Sequence, residues 1–383
     1  MKIAIITGTR AEFFLLKNLI LALKKDKFFE LNFYVTGSHL SKTFGNTIKD
    51  IKKFKIKINK IVDIAVHKDS TKNISNSISI GINKFSKIFH ETKPDLILIL
   101  GDRYEILSCA ISANINRIPI AHIHGGERTE GLIDEGIRHA ITKLSHIHFV
   151  TTKEYYKRVI QLGENSKNVH NVGALGVELI HSTKLMNKSQ LEKKFNVKFK
   201  KSIVLITYHP ETLETKKNDK NLKCFFSSLK SLKKTTLIFT MPNADIGFKK
   251  IVNEIEKFVR KNENSHFFKS LGQVKYYSIC NLSDFMIGNS SSGIIEMPSF
   301  KKPTINLGKR QQGRLKPLSV LDCDHNLSEI ISKIKIARSK KFLKKIKNIK
   351  NPYYFGETSK KILNKLKKTN LNNILIKKFN DQV

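Results

Sequence analysis

The chain has 383 residues, of which 40% are apolar, so it is long enough to form two domains with buried cores. Its 70 basic and 32 acidic side chains give a formal net charge of +38, but the lysines are spread along the whole chain. Because no aromatic–basic interleaving accompanies them and no run of about 18 apolar residues occurs, we expect neither a nucleic-acid partner nor a membrane span.

The N-terminal segment MKIAIITGTRAE is typical of a short strand followed by a Gly/Thr turn. It lacks the apolar core and the cleavage site of a signal peptide. The four cysteines lie far apart and form no CxxC pair, which disfavours a disulfide framework or a zinc site. We therefore expect a soluble cytoplasmic protein.

Short β-branched apolar runs recur along the chain, and stretches with helical spacing alternate with them. The runs are 2–8, 31–37, 95–102, 119–126, 146–152, 204–210, 235–242, 285–291 and 303–308. Nearly continuous apolar strands are typical of parallel sheets buried on both faces, and their alternation with amphipathic segments predicts βαβ units. The polar, strand-free segment 178–202 separates two sets of strands. We predict two Rossmann-like, doubly wound α/β domains, 1–178 and 179–365, and a C-terminal helix or tail at 366–383.

Charged, imidazole or amide side chains follow several of the predicted strands, where each strand ends. They are Arg10, Asp102, Arg103, His124, Glu127, Asp134, His209 and Asn243. In open α/β sheets, ligands bind at the carboxyl ends of the strands. A single residue of this kind would not indicate a ligand site, but the whole set predicts a polar cleft between the two domains.

The loop GNSSSGIIEMPSF (288–300) precedes the apolar start of a predicted helix. Backbone N–H groups at Ser290 and Ser291 would point at a phosphate there, and no GKS/T follows, so the loop is not a P-loop. Glu296, one turn into that helix, could hold two ribose hydroxyls, and Arg310 could neutralise a diphosphate. A serine N-cap followed by an ordinary first-turn glutamate would explain the same residues, so both interpretations stay open.

Taken together, these motifs resemble the hydrolysing UDP-N-acetylglucosamine 2-epimerases of sialic-acid-type pathways. The resemblance covers roughly residues 1–370 and rests on TGTRAE, GDRYE, HIHGGERTEGLIDEGIRHAITKLSHIHF, YHPET, MPNAD, IGNSSSGIIE and INLGKRQQGR, in this order. It implies a GT-B fold, no metal, no redox cofactor and a homodimer or homotetramer. It also implies conversion of UDP-N-acetylglucosamine and water into N-acetylmannosamine and UDP, by anti-elimination through a 2-acetamidoglucal and rehydration.

The resemblance also assigns roles to residues of this chain. Catalysis would fall to Asp102, Glu127, Asp134, His124 and His209. UDP binding would fall to Arg10, Arg103, His209, Asn243, Ser290, Ser291, Glu296 and Arg310.

Two positions depart from the pattern of the sialic-acid members. These members have HIEGGE, with a catalytic glutamate where this chain has His124, so the proton-shuttling role falls to His124 or to Glu127, and we favour Glu127. A packed, hydrogen-bonded histidine would also explain His124. Phe14 replaces a small residue of the first loop, where its ring would narrow the cleft or press on the uracil.

The HIHGGE variant also occurs among relatives that act on a 2,4-diacetamido-2,4,6-trideoxyglucose nucleotide in legionaminic acid synthesis. UDP-N-acetylglucosamine is the substrate that we favour from the sequence, with this UDP- or GDP-linked sugar as the alternative. A GT-B glycosyltransferase is a further alternative, although it would not need the cluster of Asp102, Glu127 and Asp134. A non-hydrolysing epimerase usually has HVEAGLRT in place of HIHGGERT. A basic, non-enzymatic binding protein would tolerate Asp102→Asn.

Overall fold

A computed structural model of the chain describes residues 1–66, 70–213, 218–243 and 245–381. The chain divides into two compact units. Unit 1 comprises Met1–Glu127, Ile133–Leu179 and Tyr353–Val383, and unit 2 comprises Arg128–Leu132 and Ile180–Pro352.

Within its described residues, unit 1 contains a seven-stranded parallel sheet of order β3-β2-β1-β4-β5-β6-β7. The strands are β1 (Lys2–Thr7), β2 (Glu30–Thr36), β3 (Lys60–Val62), β4 (Leu96–Leu100), β5 (Ile120–Ile123), β6 (Ile147–Val150) and β7 (Val169–Asn171). The first helices of the chain are α1 (Arg10–Lys25), α2 (Ile48–Lys52), α3 (Thr71–Thr92), α4 (Tyr104–Ile115), α5 (Asp134–Leu144), α6 (Lys153–Gln161) and α7 (Leu175–Ser182). Short 3-10 turns lie at Gly37–Leu40, Lys42–Phe44 and Ser166–Asn168.

Unit 2 contains, in the part that the structure describes, a six-stranded parallel sheet of order β10-β9-β8-β11-β12-β13. Its strands are β8 (Ser202–Thr207), β9 (Thr235–Thr240), β10 (Ser265–Phe268), β11 (Phe285–Gly288), β12 (Thr304–Leu307) and β13 (Val320–Cys323). Its helices are α8 (Lys188–Phe195), α9 (Asn218–Leu229), α10 (Phe248–Arg260), α11 (Gln273–Leu282), α12 (Ser292–Ile295), α13 (Leu327–Arg338) and α14 (Lys340–Ile346), with a 3-10 turn at Met297–Phe300.

Side-chain alternation along each central strand builds a core on both faces of its sheet. In β1, Ile3 and Ile5 join one apolar cluster, whereas Ala4 and Ile6 join the cluster on the opposite face. Every residue of β4 is buried. Helices on both faces of a parallel sheet explain why these strands are nearly continuous apolar runs. The predicted α/β class is confirmed.

The last helix, α15 (Thr358–Lys368), belongs to unit 1, although we expected the second domain to extend to residue 365. Its apolar residues Ile362, Leu363 and Leu366 enter the same core cluster as α1. A helix is placed by the surface that covers its apolar stripe, which position along the chain does not reveal.

Strand order places the functional loops. Each sheet has one topological switch point, where the strand order reverses. It lies between β1 and β4 in unit 1 and between β8 and β11 in unit 2. Loops that leave the carboxyl ends of these strands are where doubly wound folds bind ligands. Among the residues that the structure describes, no helix is both long and apolar enough to cross a membrane.

Candidate active site

The loops after β4 and β5 of unit 1 and the start of α5 carry the predicted carboxylates, and a buried arginine of α5 contacts both loops. Asp102 follows β4, Glu127 follows β5, and Asp134 is the first residue of α5. Arg138, whose side chain is only 1% exposed, lies one helical turn after Asp134. Its guanidinium pairs with the Asp102 carboxylate through Nη2.

Arg138 also reaches two other groups of this cluster. Its Nη1 donates to the Glu127 carbonyl oxygen at 2.9 Å and to Glu135 Oε2 at 2.7 Å. The planar guanidinium presents several donors in a fixed fork, so it can hold three partners at once. Arg138 was not among the predicted site residues, although its spacing of four residues from Asp134 places the two on one helical face.

Glu127 is 2% exposed, and the side chains of Thr151 and His124 lie beside its carboxylate. The Thr151 hydroxyl donates to Glu127 Oε1 at 3.2 Å. His124 Nδ1 lies 3.5 Å from the same oxygen. The imidazole that replaces the expected glutamate is therefore adjacent to the carboxylate that we favoured for proton transfer.

His124 itself has a φ of +71°, a left-handed conformation that is uncommon outside glycine. Its amide still donates to the carbonyl oxygen of Phe149 on β6, at 2.9 Å. Gly126 follows with a φ of +74°, and a Cβ there would lie 2.6 Å from the Tyr155 carbonyl oxygen. Gly126 thus lets the chain turn sharply between His124 and Glu127.

Two further buried carboxyl groups, Glu12 and Glu105, lie beside the Gly8 backbone. The Gly8 amide donates to Glu12 Oε2 at 2.7 Å, and Arg103 Nε donates to Glu105 Oε1 at 3.2 Å. Burial, with the neighbouring Glu105 charge, raises the pKa of Glu12 to about 8. Glu12 is the third helical residue after the Thr9 N-cap, and this Thr-x-x-Glu spacing is the sequence signature of a capping box.

The other predicted residues of unit 1 lie at the start of α1 and α4. Arg10 is the first residue of α1 and is half-buried, and Arg103 is the N-cap of α4. The Phe14 ring packs on Phe13 and Phe54, with centroid distances of 5.5 and 6.3 Å. Within unit 1, Phe14 therefore extends the apolar core cluster that includes α1.

In unit 2, Asn289 connects the loops after β8 and β11. Its side chain accepts from the His209 amide at 2.7 Å and donates to the His209 carbonyl at 2.9 Å. The Asn243 amide donates to His209 Nδ1 at 3.0 Å, so this nitrogen is an acceptor. Ala244 of the MPNAD motif lies outside the described residues. His209 and Asn243 are thus brought together, with the Asn243 side chain exposed.

Arg310 is 7% exposed and points at the same loop. Its Nη1 donates to the Asn289 carbonyl oxygen at 3.2 Å, and its Nη2 pairs with Asp245 at 3.4 Å. Glu211 Oε1 accepts from the Lys309 amide at 2.9 Å, which fixes the turn before Arg310. Asn289, Asp245 and Glu211 therefore orient the arginine that the sequence assigned to the diphosphate.

The serine loop differs from the expected helix start. Ser290 and Ser291 are partly exposed, but α12 is only one turn long and ends at Ile295, so Glu296 follows this helix instead of lying within it. Pro298 favours the 3-10 turn that begins at Met297, because proline cannot donate the backbone hydrogen bond that a longer helix needs.

Glu296 is held by hydroxyl groups. Ser292 and Tyr277 both donate to its carboxylate, Tyr277 at 3.4 Å, and Tyr276 donates to Ser292 at 2.5 Å. Burial raises the pKa of Glu296, and the donated hydrogen bonds oppose this shift. Neither tyrosine was singled out from the sequence, since their contacts with Glu296 depend on how α11 packs.

The structure therefore groups the predicted residues within each unit. In unit 1, Arg138 joins Asp102 to the backbone of Glu127. In unit 2, His209 and Arg310 meet at Asn289, whereas Glu296 is held separately by Ser292 and Tyr277. Over the described ranges, no group of three or more His, Cys, Asp or Glu residues is arranged to hold a metal ion.

Comparisons with known proteins identify the family and the fold. A family model described as UDP-N-acetylglucosamine 2-epimerase matches residues 21–367. A Campylobacter jejuni protein named GDP/UDP-N,N'-diacetylbacillosamine 2-epimerase (hydrolyzing) is 43% identical over 99% of both chains. An Escherichia coli protein named Polysialic acid biosynthesis protein P7 is 40% identical, over 92% of this chain and 90% of its own.

Among solved structures, the S. aureus MnaA–UDP co-structure matches with a TM-score of 0.80 and covers 100% of both chains at 21% identity. A likeness at this identity concerns the fold. The predicted GT-B class, with two Rossmann-like domains, is confirmed, and so is the resemblance that the motifs predicted.

Proposed function

The chain belongs to the UDP-N-acetylglucosamine 2-epimerase family, and on this premise we propose that it is a hydrolysing 2-epimerase of a nucleotide-linked amino sugar. The observation that carries the proposal is the carboxylate cluster of unit 1, in which Arg138 holds the Asp102 carboxylate and the Glu127 backbone. A glycosyltransferase would have no use for such a cluster.

The reaction needs a base, an acid and stabilisation of a leaving diphosphate. A carboxylate removes the proton from C2 of the sugar, and the C–H electron pair forms a C1=C2 double bond. The C1–O bond breaks, and the nucleoside diphosphate leaves with the electron pair of that bond. Water then adds its oxygen to C1 and gives one proton to a carboxylate, while a protonated acid–base group delivers a proton to C2 on the face opposite the one that was deprotonated. The products are the free 2-epimeric sugar and a nucleoside diphosphate.

We assign the proton transfers to the acidic residues of unit 1. Asp102, Glu127 and Asp134 supply carboxylates, and positioned carboxylates contribute about 100- to 10,000-fold to such steps. His124 lies 3.5 Å from the Glu127 carboxylate and assists its proton transfer. In this scheme His124 and Glu127 together take the acid–base role that a single glutamate, at the position of His124, has in the sialic-acid members.

We assign nucleotide binding to cationic and polar groups that could stabilise the departing diphosphate. Unit 1 contributes Arg10 and Arg103. The contributors from unit 2 are His209, Asn243, Ser290, Ser291, Glu296 and Arg310. Glu296, oriented by two hydroxyl donors, accepts from the ribose hydroxyls in this scheme.

We propose UDP- or GDP-N,N'-diacetylbacillosamine as the substrate, in place of the UDP-N-acetylglucosamine that the motifs alone favoured. The proposal is supported by the name of the C. jejuni relative, which is 43% identical over 99% of both chains. UDP-N-acetylglucosamine stays the second candidate, because the matching family model is described by that substrate.

The experiment that tests this function is direct. The purified chain is incubated in deuterated water with UDP-N,N'-diacetylbacillosamine, its GDP analogue or UDP-N-acetylglucosamine, and the products are identified by NMR. We expect a free 2-epimeric diacetamido sugar with deuterium at C2. A product without deuterium at C2 would exclude the elimination route, and turnover of UDP-N-acetylglucosamine alone would select the second candidate.

Two variants of one strand provide the matched control. Asp102→Asn, at the carboxyl end of β4, should reduce nucleotide release by at least about 100-fold. Asp95→Asn, at the other end of β4, keeps an oxygen that can accept from the Lys2 amide and should retain full turnover. Full turnover in Asp102→Asn would remove Asp102 from the chemistry.

A further inference from the structure

His122, the third residue of β5, is a fully buried histidine to which the scheme above assigns no part. Its Nε2 lies 2.7 Å from the carbonyl oxygen of Gly101, the residue before Asp102. Its Nδ1 lies 3.3 Å from the hydroxyl of Thr142 on α5. One imidazole ring therefore connects the loop after β4 with the helix that begins at Asp134.

The surroundings leave this ring little freedom. A Cβ on Gly125 would lie 3.1 Å from both His122 Nδ1 and Thr142 Oγ1, so the chain after β5 closes directly over the pair. Thr142 Oγ1 also lies 2.9 Å from the Arg138 carbonyl oxygen. Gly101 has a φ of +87°, a conformation that only glycine adopts readily and that the bond to the imidazole helps to hold.

The protonation state identifies which ring nitrogen donates. Burial lowers the pKa of His122 to about 3, so the ring is neutral at physiological pH. A carbonyl oxygen can only accept, so Nε2 carries the hydrogen and donates to Gly101. Nδ1 then carries no hydrogen and faces the Thr142 oxygen at 3.3 Å, while the single hydroxyl hydrogen of Thr142 is donated to the Arg138 carbonyl oxygen at 2.9 Å.

We propose that His122 is a positioning residue, whose Nε2–H bond to Gly101 holds the Asp102 carboxylate in register with α5 and Arg138. This inference rests on the proposed function, since it concerns the geometry of that reaction. A displacement of about 1 Å in a reacting group costs about 100-fold in rate. A loosened Asp102 loop should therefore slow the chemistry without weakening nucleotide binding.

Three substitutions distinguish the contribution of Nε2 from that of Nδ1. The amide nitrogen of His122→Gln can reach the Nε2 position and donate to Gly101. The shorter side chain of His122→Asn reaches only towards Thr142, and that of His122→Leu makes no hydrogen bond. We expect His122→Gln to keep kcat within about threefold of the wild type, and the other two to lose about 100-fold. The Kd for UDP should stay unchanged in all three.

His170→Leu is the matched control, because His170 lies on the edge strand β7 of the same sheet. Its kcat should equal that of the wild type. Circular dichroism checks that each variant folds, and if His122→Leu does not fold, the comparison of His122→Gln with His122→Asn decides. Wild-type kcat in the folded Leu or Asn variant, or a loss in His122→Gln as large as in His122→Asn, would overturn the inference.

Failure of the proposed function gives a different result. A wild-type chain that releases no nucleoside diphosphate from any of the three nucleotide sugars overturns that function and leaves the His122 bond open to a second measurement. In ¹⁵N-histidine NMR, with His122 assigned by comparison with His122→Gln, we expect a neutral Nε2–H ring at neutral pH. A charged ring or an Nδ1–H tautomer would refute the bond.

Discussion

Replacing Arg138 with leucine removes the centre of the unit 1 cluster. The arginine side chain is 1% exposed, whereas its partners Asp102 and Glu135 are 25% and 22% exposed. Removing one partner of a fully buried ion pair costs about 3 to 5 kcal/mol. Because water can solvate both carboxylates in the variant, we expect a cost near the lower end of this range. The lost hydrogen bond to the Glu127 carbonyl oxygen adds about 1 kcal/mol.

The expected loss is therefore about 3 to 4 kcal/mol of local stability. Native-state hydrogen exchange, followed at the amides of β4 and α5, measures it without requiring the two units to unfold together. Arg138→Lys keeps the charge but not the fork, so its loss should be smaller. Arg260→Leu, at the exposed end of α10, should change stability by less than about 0.5 kcal/mol. An Arg138→Leu chain as stable as this control would refute the reasoning.

Substitutions of Glu12 and Arg310 test the raised pKa of a buried carboxyl group and the proposed nucleotide site. The pKa of Glu12 is raised from 4.5 to about 8, so the carboxyl group takes up a proton on folding between these two pH values. The free energy of unfolding should therefore fall as the pH rises above 4.5, by at most about 3 kcal/mol up to pH 7. Glu12→Gln should flatten this fall in thermal melts and the exposed Glu30→Gln should not; equal slopes would contradict the shift. Arg310→Ala should weaken UDP binding about 10- to 100-fold by calorimetry, and unchanged affinity would remove Arg310 from the nucleotide site.

The central strands of both sheets were predictable, whereas the edge strands were not. β3, β7, β10 and β13, at the sheet edges, fall outside the predicted apolar runs. Each is only three or four residues long and partly exposed, so it lacks the continuous apolar pattern of a strand covered on both faces.

The candidate site divides in the same way. Asp102, Glu127 and His209 could be located from motifs, since each follows a strand that its apolar pattern reveals. Arg138 and His122 could not be assigned partners, because their contacts join elements that lie far apart along the chain. The one-turn length of α12 also escaped prediction, as local propensity allowed a longer helix.

The sequence alone was sufficient to predict the central strands of both sheets, the loops that carry the polar residues and the family. These features follow from local periodicity and from short motifs, which are encoded within a few consecutive residues. The tertiary structure alone decided that α15 packs in unit 1, that His124 adopts a left-handed backbone and that Arg138 is surrounded by acceptors. Each of these depends on burial against segments distant in sequence. Burial determines how much free energy is needed to remove a charged group from water, and therefore whether it needs a partner of opposite charge.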